Sequence, residues 1–292
     1  MRIKHAFTID VEDWYHGIEL SESEWFNKER RIDRGINVIL NLLDESRTKA
    51  TFFCLGWVAK EHPGIIKKIN QRGHEIAGHG FFHRKVYNMT PDKFRIDIRD
   101  TKKLLEDLIS VSVRGHRSPF FSITRKSLWG LDILIEEGYE YDASISPVET
   151  WRYGISSSPE GVYRIKHKDS NNGDNRSIIE FPMSTFSFFK KRIGFGGAYF
   201  RIMPWCFTNF ALKRKQGSCA AIPLIFYAHP WEYDPEHPVI DFESKAKMTH
   251  YYNLTKTEKR TKMLLEKFSF TCLAEVLEEI ISTDNFIETV NL

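Results

Sequence analysis

His79 and His83 stand four residues apart in the stretch Gly73-His-Glu-Ile-Ala-Gly-His-Gly-Phe-Phe-His83. That spacing lets two imidazoles face one point across a single turn, which is what a divalent metal asks of a histidine pair. Gly78 and Gly80 beside them permit close backbone approach. Carboxylates come from Asp10-Val-Glu-Asp13. Three acids so close together are costly to bury unless a cation or hydrogen-bond donors compensate them. Two imidazoles and one carboxylate make a three-ligand site with a position left open for water, the arrangement of a catalytic rather than a structural zinc. A second carboxylate can then accept a proton from that water, and a separate histidine, His229, can protonate a leaving amine. Arg117 can hold the base ionised and oriented.

The three acids do not have equal standing. A strand sends alternate side chains to opposite faces, so Asp10 and Glu12 share a face and Asp13 takes the other, unless the strand ends first. Asp10 and Glu12 are the working pair on that reading. Asp13 remains an alternative metal ligand, and a cluster at a helix N-terminus is the competing reading of the same acids. His74 reads as a structural histidine. His16 and His116 flank the motifs, and Asp142 is a candidate partner for Arg117.

The elements that must position these residues alternate along the chain. Apolar runs at 5–9, Ala50–Leu55, His74–Ala77, Val111–Arg114, Tyr139–Ser144 and Pro223–Ala228 read as buried strands. Helical stripes fall between them: Ile36 to Leu43, Pro63 to Gln71, a long helix from the Thr90 N-cap to Ile109, and 126–137. Chemistry-bearing residues recur at strand C-termini, where parallel α/β barrels and doubly wound sheets place active sites. From 147 to 200 the rhythm changes. A polar loop, Lys168–Asn175, separates short strands at Val162–Ile165 and Ile178–Pro182, which suggests an antiparallel insertion over about 147–220 within one domain spanning 1–292. The glycine-rich Gly194–Arg201 lacks the Gly-Lys-Ser/Thr of a phosphate loop and has no strand-then-helix setting, so it reads as a substrate-facing loop carrying Tyr199 and Arg201. A helix near 202–215 follows. Lys256–Glu266 and Leu273–Ile281 read as closing helices around a short strand at Phe268–Phe270.

Composition narrows the class. The chain has 292 residues, 41% hydrophobic and 28% charged, which suits a globular domain with a full core. The net charge is only +3 and the basic residues are scattered, so nothing points to nucleic acid; Lys213-Arg214-Lys215 reads as a solvated helix face. The 22 Phe, 11 Tyr and 7 Trp must largely build core, although aromatic faces also suit sugar rings. Cys54, Cys206, Cys219 and Cys272 lie far apart and read as buried thiols in a reducing compartment. Acidic residues come too early for a signal peptide, and the apolar run near Ala220–Ala228 is too short to span a bilayer. A cytoplasmic protein without a transmembrane segment is the expectation. Oligomeric state has no sequence signal.

Thr8-Ile-Asp-Val-Glu-Asp13, the Gly73–His83 stretch, Arg117-Ser-Pro-Phe120 and Leu224-Ile-Phe-Tyr-Ala-His229 together resemble the motifs of the polysaccharide deacetylases with NodB homology, carbohydrate esterase family 4. Tyr141-Asp-Ala-Ser, Glu180-Phe-Pro-Met-Ser-Thr, Gly-Gly-Ala-Tyr-Phe-Arg201 and His229-Pro-Trp-Glu resemble its subgroup found in exopolysaccharide loci of the exosortase-associated type. The resemblance implies a distorted, incomplete (β/α)7 barrel. It also implies a divalent metal, most simply Zn2+, and a saccharide substrate bearing N-acetyl groups. Matched position by position, it makes Asp10 the base, His229 the acid and Arg117 the residue that steadies Asp10. His79 and His83 become metal ligands with Glu12 ahead of Asp13, since Val11 stands where many members carry a second aspartate. A backbone N–H near Phe120 would hold the oxyanion, and Phe120, Tyr199, Arg201 and Trp231 would face the substrate. Two other readings are an allantoinase-like cyclic amide hydrolase and an inactive sugar-binding relative.

Overall fold

Strand β1 (His5–Val11) is buried along its whole length, and the sheet is laid out around it. The computed structural model describes residues 4–18, 20–168, 176–188, 191–216, 223–240, 244–282 and 288–290. The remaining strands are β2 (Thr51–Cys54), β3 (Glu75–Gly78), β4 (Gly115–His116), β5 (Tyr141–Asp142), β6 (Tyr163–Lys166), β7 (Ser177–Glu180), β8 (Thr185–Phe188), β9 (Lys191–Gly194), β10 (Ile225–Ala228) and β11 (Phe270–Thr271). The main sheet runs β10-β1-β2-β3-β4-β5-β7-β6, with β11 on the first residues of β1. Every pairing in it is parallel except β6 with β7. The sheet curls into an incomplete α/β barrel whose order ends on β10 and β6.

Parallel register carries the functional consequence. Val11 pairs with Cys54, Cys54 with Gly78, Gly78 with His116, His116 with Asp142, and Asp142 with Glu180. On the other side Ile9 pairs with Ala228. Asp10, His79, Arg117 and His229 therefore leave the sheet at one level, on its C-terminal rim.

Helices cover the outer face. Ile32–Glu45 buries Ile36, Ile39, Leu40 and Leu43 on one stripe. Pro63–Gln71 buries Ile65, Ile66 and Ile69. Pro91–Ile109 starts with proline in its first turn and with the Thr90 hydroxyl accepting the Lys93 N–H, as the sequence predicts. Trp129–Glu136, Thr257–Lys267 and Leu273–Ser282 complete the layer.

Four expectations change. The strand expected at Val111–Arg114 forms later, at Gly115–His116, because the Val113 N–H donates to the Glu106 carboxylate instead of to a neighbouring strand. Within 147–220, β7 continues the parallel sheet beside β5, β6 adds antiparallel to its outer edge, and β8 and β9 form a separate hairpin. Gly194–Arg201 does sit between a strand and a helix: it leaves β9 and opens the helix Gly197–Ile202. Its glycines answer to packing, since a Cβ on Gly196 (φ 117°) would lie 2.4 Å from the Tyr227 ring. Cys54 and Cys272 are buried, whereas Cys206 is exposed on the helix Trp205–Gln216; Cys219 and residues 169–175 of the polar loop lie outside the described residues.

The helix Ile32–Glu45 also fixes the turn that carries His229. A Cβ on Gly35 would lie 1.9 Å from the Pro230 carbonyl oxygen, so only glycine lets helix and turn meet. Gly35→Ala is expected to cost about 1–3 kcal/mol by overpacking, read from denaturant unfolding.

Candidate metal and catalytic site

Two backbone carbonyls orient the histidine pair. His79 Nδ1 donates to the Arg117 carbonyl at 2.8 Å, and His83 Nδ1 donates to the His16 carbonyl at 3.1 Å. With the proton of each neutral ring placed on Nδ1, each Nε2 carries a lone pair. Burial keeps both rings neutral, holding His79 down to about 4 and His83 well below its ordinary value. Glu12, just past the end of β1, turns its carboxylate toward the same point, with Oε2 3.2 Å from His83 Nε2. Glu12 Oε2 and His79 Nε2 are buried without any hydrogen-bond donor. Ligand atoms of Glu12, His79 and His83 lie within 4.8 Å of one another. Converging ligand atoms without hydrogen-bond partners suit a divalent cation, and the donor set of two imidazoles and one carboxylate suits zinc.

Beside this cluster, Arg117 NH1 donates to Asp10 Oδ1 at 2.7 Å and its Nε to the Ala143 carbonyl at 3.1 Å. Burial works to raise the Asp10 pKa, but the Arg117 guanidinium, through its charge and its hydrogen bond, together with His229 outweighs it and holds the carboxyl below its ordinary value. Burial pushes Glu12 the other way, up to about 8, with His229 opposing and Asp10 adding to the rise.

His229 stands across the cavity with Nε2 3.2 Å from Glu12 Oε1 and 3.9 Å from Asp10 Oδ2. Its Nδ1 is 2.6 Å from Glu232 Oε1. Burial works to lower the His229 pKa, but Glu12, Glu232 and Asp10 together raise it to about 9. Glu232 is in turn held by Arg201, whose Nε donates to Oε2 at 2.6 Å. Glu232 was not among the expected site residues. The signal is its position three residues after His229, on the Pro230–Tyr233 turn, from which it also accepts the His229 backbone N–H.

Several expected roles change with the geometry. Asp13 lies outside the metal cluster. Its carboxylate accepts the backbone N–H groups of Trp14, Arg31 and Ile32, so it caps the helix Ile32–Glu45 from a distance. Arg201 borders the cavity, but its guanidinium is spent on Glu232 and the carbonyls of Thr249, His250 and Tyr252. It positions Glu232 and is not available to hold substrate. Trp231 also borders the cavity, yet it is buried and stacks on His229 (5.0 Å between ring centres) and His250 (4.0 Å). Tyr199 packs over Gly194 with its hydroxyl 3.5 Å from that of Tyr153, and Tyr153 is the one that lines the cavity. Phe120 does line it, 4.4 Å from the His83 ring, with φ 56° in a left-handed conformation unusual for phenylalanine. Asp142 does not meet Arg117. It accepts from His116 Nδ1 and Ser144 Oγ. His74 is buried 5.2 Å from Phe52 in a structural setting.

Residues 32–141 match the polysaccharide deacetylase family profile. Over those residues the chain is similar to the polysaccharide deacetylases. Residues 143–278 match a second profile, a domain of unknown function, DUF3473. The site straddles both: His79, His83 and Arg117 fall in the deacetylase match, His229 and Glu232 in the second, and Asp10 and Glu12 precede them. A peptidoglycan-N-acetylglucosamine deacetylase of Bacillus cereus is 33% identical over 90 residues, 31% of this chain and 33% of its own length. The chain thus spans about a third of the first curated relatives it matches. Among solved structures, a provisionally assigned polysaccharide deacetylase from Mycobacterium smegmatis superposes over 98% of this chain and 93% of its own, at TM-score 0.65 and 18% identity. An allantoinase superposes over 98% and 92%, at TM-score 0.61 and 16% identity. At these identities the likeness is one of fold alone.

Substitution separates Glu12 from Asp13. Glu12→Ala is expected to abolish zinc retention after dialysis, while Asp13→Ala keeps zinc and loses about 1–3 kcal/mol of stability through its three orphaned N–H groups. Metal analysis paired with unfolding curves reads both.

Proposed function

We propose that this chain is a metal-dependent hydrolase that removes N-acetyl groups from an amino sugar in an oligo- or polysaccharide. The observation that carries the reading is the convergence of three buried ligand atoms, from Glu12, His79 and His83, beside Asp10, which Arg117 holds, and His229, which Glu232 holds. Glu12, His79 and His83 would hold the metal, which when bound supplies a Lewis acid for the acetyl carbonyl and for a water.

The side chains divide the proton work between them. Arg117 occupies Asp10 Oδ1, leaving Oδ2 on the cavity side to take a proton from the attacking water. Phe120, on its left-handed turn, offers its backbone N–H to the developing oxyanion. His229 gives its Nε2 proton to the departing amine, while Glu232 keeps the imidazole in place through Nδ1. Acetate and a free amino sugar leave, the latter gaining positive charge at neutral pH.

Acetate release from N-acetylglucosamine oligomers, with no turnover of allantoin, is the expected result for the zinc-loaded protein. Asp10→Asn should retain zinc and lose roughly 100- to 10,000-fold in kcat, the usual worth of a positioned base. His79→Ala should lose zinc and turnover together. Near-wild-type turnover by Asp10→Asn would remove Asp10 from the base role.

A further inference from the structure

Two acids from the motifs Tyr141-Asp-Ala-Ser and Glu180-Phe-Pro-Met-Ser-Thr meet behind the rim of the barrel. Asp142 ends β5 and Glu180 ends β7, and the parallel register sets them side by side. Both are fully buried. The two carboxyls are hydrogen-bonded to each other, which requires a proton on one of them. Burial and the Asp142 charge hold the Glu180 pKa well above its ordinary value, so the proton belongs to Glu180. Burying two acids together is costly, and the bonds they make show what the pair holds.

The pair grips the segment 143–145 at two points. Glu180 Oε1 accepts the Ile145 N–H at 2.8 Å. Asp142 Oδ1 accepts the Ser144 hydroxyl at 2.7 Å and His116 Nδ1 at 2.9 Å. With its proton given to Asp142, the Ser144 oxygen accepts the Ser118 N–H at 2.7 Å. One residue earlier, the Ala143 carbonyl accepts Arg117 Nε at 3.1 Å. The segment is therefore held by the acids on one side and holds Arg117 and Ser118 on the other. Arg117 in turn donates to Asp10 Oδ1 and takes His79 Nδ1 on its carbonyl, and Ser118 opens the turn that carries Phe120. A shift in 143–145 reaches the base, a metal ligand and the Phe120 N–H together.

We propose that Glu180 is a positioning residue of the reaction, acting with Asp142 through the segment 143–145 to keep Arg117 and Ser118 aligned with Asp10 and His79. The proposal rests on the deacetylase reading for the reaction, and on the chain of hydrogen bonds from Glu180 to Arg117 for the positioning. Glu180 does not line the catalytic cavity, so it acts only through these neighbours. Its side chain must donate and accept at once, which a neutral acid or an amide can do and a hydrocarbon cannot.

Two readouts on the zinc-loaded protein test it: acetate release from N-acetylglucosamine oligomers, and the Arg117 Nε–H resonance in proton–nitrogen correlation spectra, identified by its loss in Arg117→Lys. Glu180→Gln can still donate to Asp142 and accept the Ile145 N–H, so kcat and the resonance are expected to stay close to wild type. Glu180→Leu loses both bonds. Its kcat is expected to fall roughly 10- to 100-fold with little change in KM, the cost of a small misplacement of reacting groups, and the resonance to move. A merely structural role would lower the unfolding temperature of Glu180→Leu but leave kcat per folded, zinc-loaded molecule and the resonance unchanged. Ser144→Ala cuts the next link, is expected to lower kcat in the same way, and takes the place of Glu180→Leu should that variant not fold. Wild-type kcat or an unmoved resonance in the variant used overturns the proposal, as does Glu180→Gln as slow as Glu180→Leu. A wild-type protein that releases no acetate sinks the deacetylase reading instead. The resonance then decides the positioning alone, and it is upheld if the signal moves in Glu180→Leu and stays in Glu180→Gln.

Discussion

The site depends on two ordinary hydrogen bonds, from His79 Nδ1 to the Arg117 carbonyl and from His83 Nδ1 to the His16 carbonyl. Each fixes one tautomer, and so each turns a lone pair on Nε2 inward. The carbonyls belong to different parts of the chain, one at the end of β4 and one in the turn after β1. Any shift between these segments misdirects a nitrogen. Glu12 completes the set because the strand stops at Val11 and frees the next residue to turn into the cavity. The result is a buried group of acceptors that is costly as it stands and that a cation would satisfy.

Around this group the charges come in linked pairs. Arg117 holds Asp10, and Arg201 holds Glu232, which holds His229. Each arginine is almost fully buried and meets further oxygens as well: Arg117 the Ala143 carbonyl and Thr8 Oγ1, Arg201 three backbone carbonyls. Buried ion pairs are weak stabilisers on balance but are strongly destabilising when one partner is removed. Here they bias protonation: Arg117 holds the Asp10 pKa down, and Glu232 joins Glu12 and Asp10 in raising that of His229. That division between a base and an acid comes from environment, since both groups border one cavity.

Much of this was legible in the sequence, for physical reasons that can be named. Buried parallel strands are short and apolar, and polar residues at their ends stand out, so Asp10, His79, Arg117 and His229 could be picked before any fold was seen. Register then placed them on one rim. The choice between Glu12 and Asp13 stayed open because the strand-face argument depends on where β1 ends. The donors that claim Asp13, the N–H groups of Arg31 and Ile32, lie 18 and 19 residues away. Arg201 and Trp231 were read as substrate-facing because charged and aromatic residues near a motif look available. Their partners, Glu232, His229 and His250, become neighbours only in three dimensions. The region after 147 was hardest: β6 and β7 are short, β7 joins the main sheet beside a strand 35 residues earlier, and no local pattern announces that pairing.

The central claim is that Glu12, His79 and His83 form one metal site with Asp10 free beside it. Anomalous scattering at the zinc edge, from crystals grown with zinc, tests it most directly. The account predicts a single peak per chain within bonding distance of Glu12 Oε2, His79 Nε2 and His83 Nε2, with Asp13 still bonded to backbone N–H groups. A peak held instead by Asp10, Glu12 and His229, the other group whose ligand atoms converge, would contradict it, as would no peak at saturating zinc.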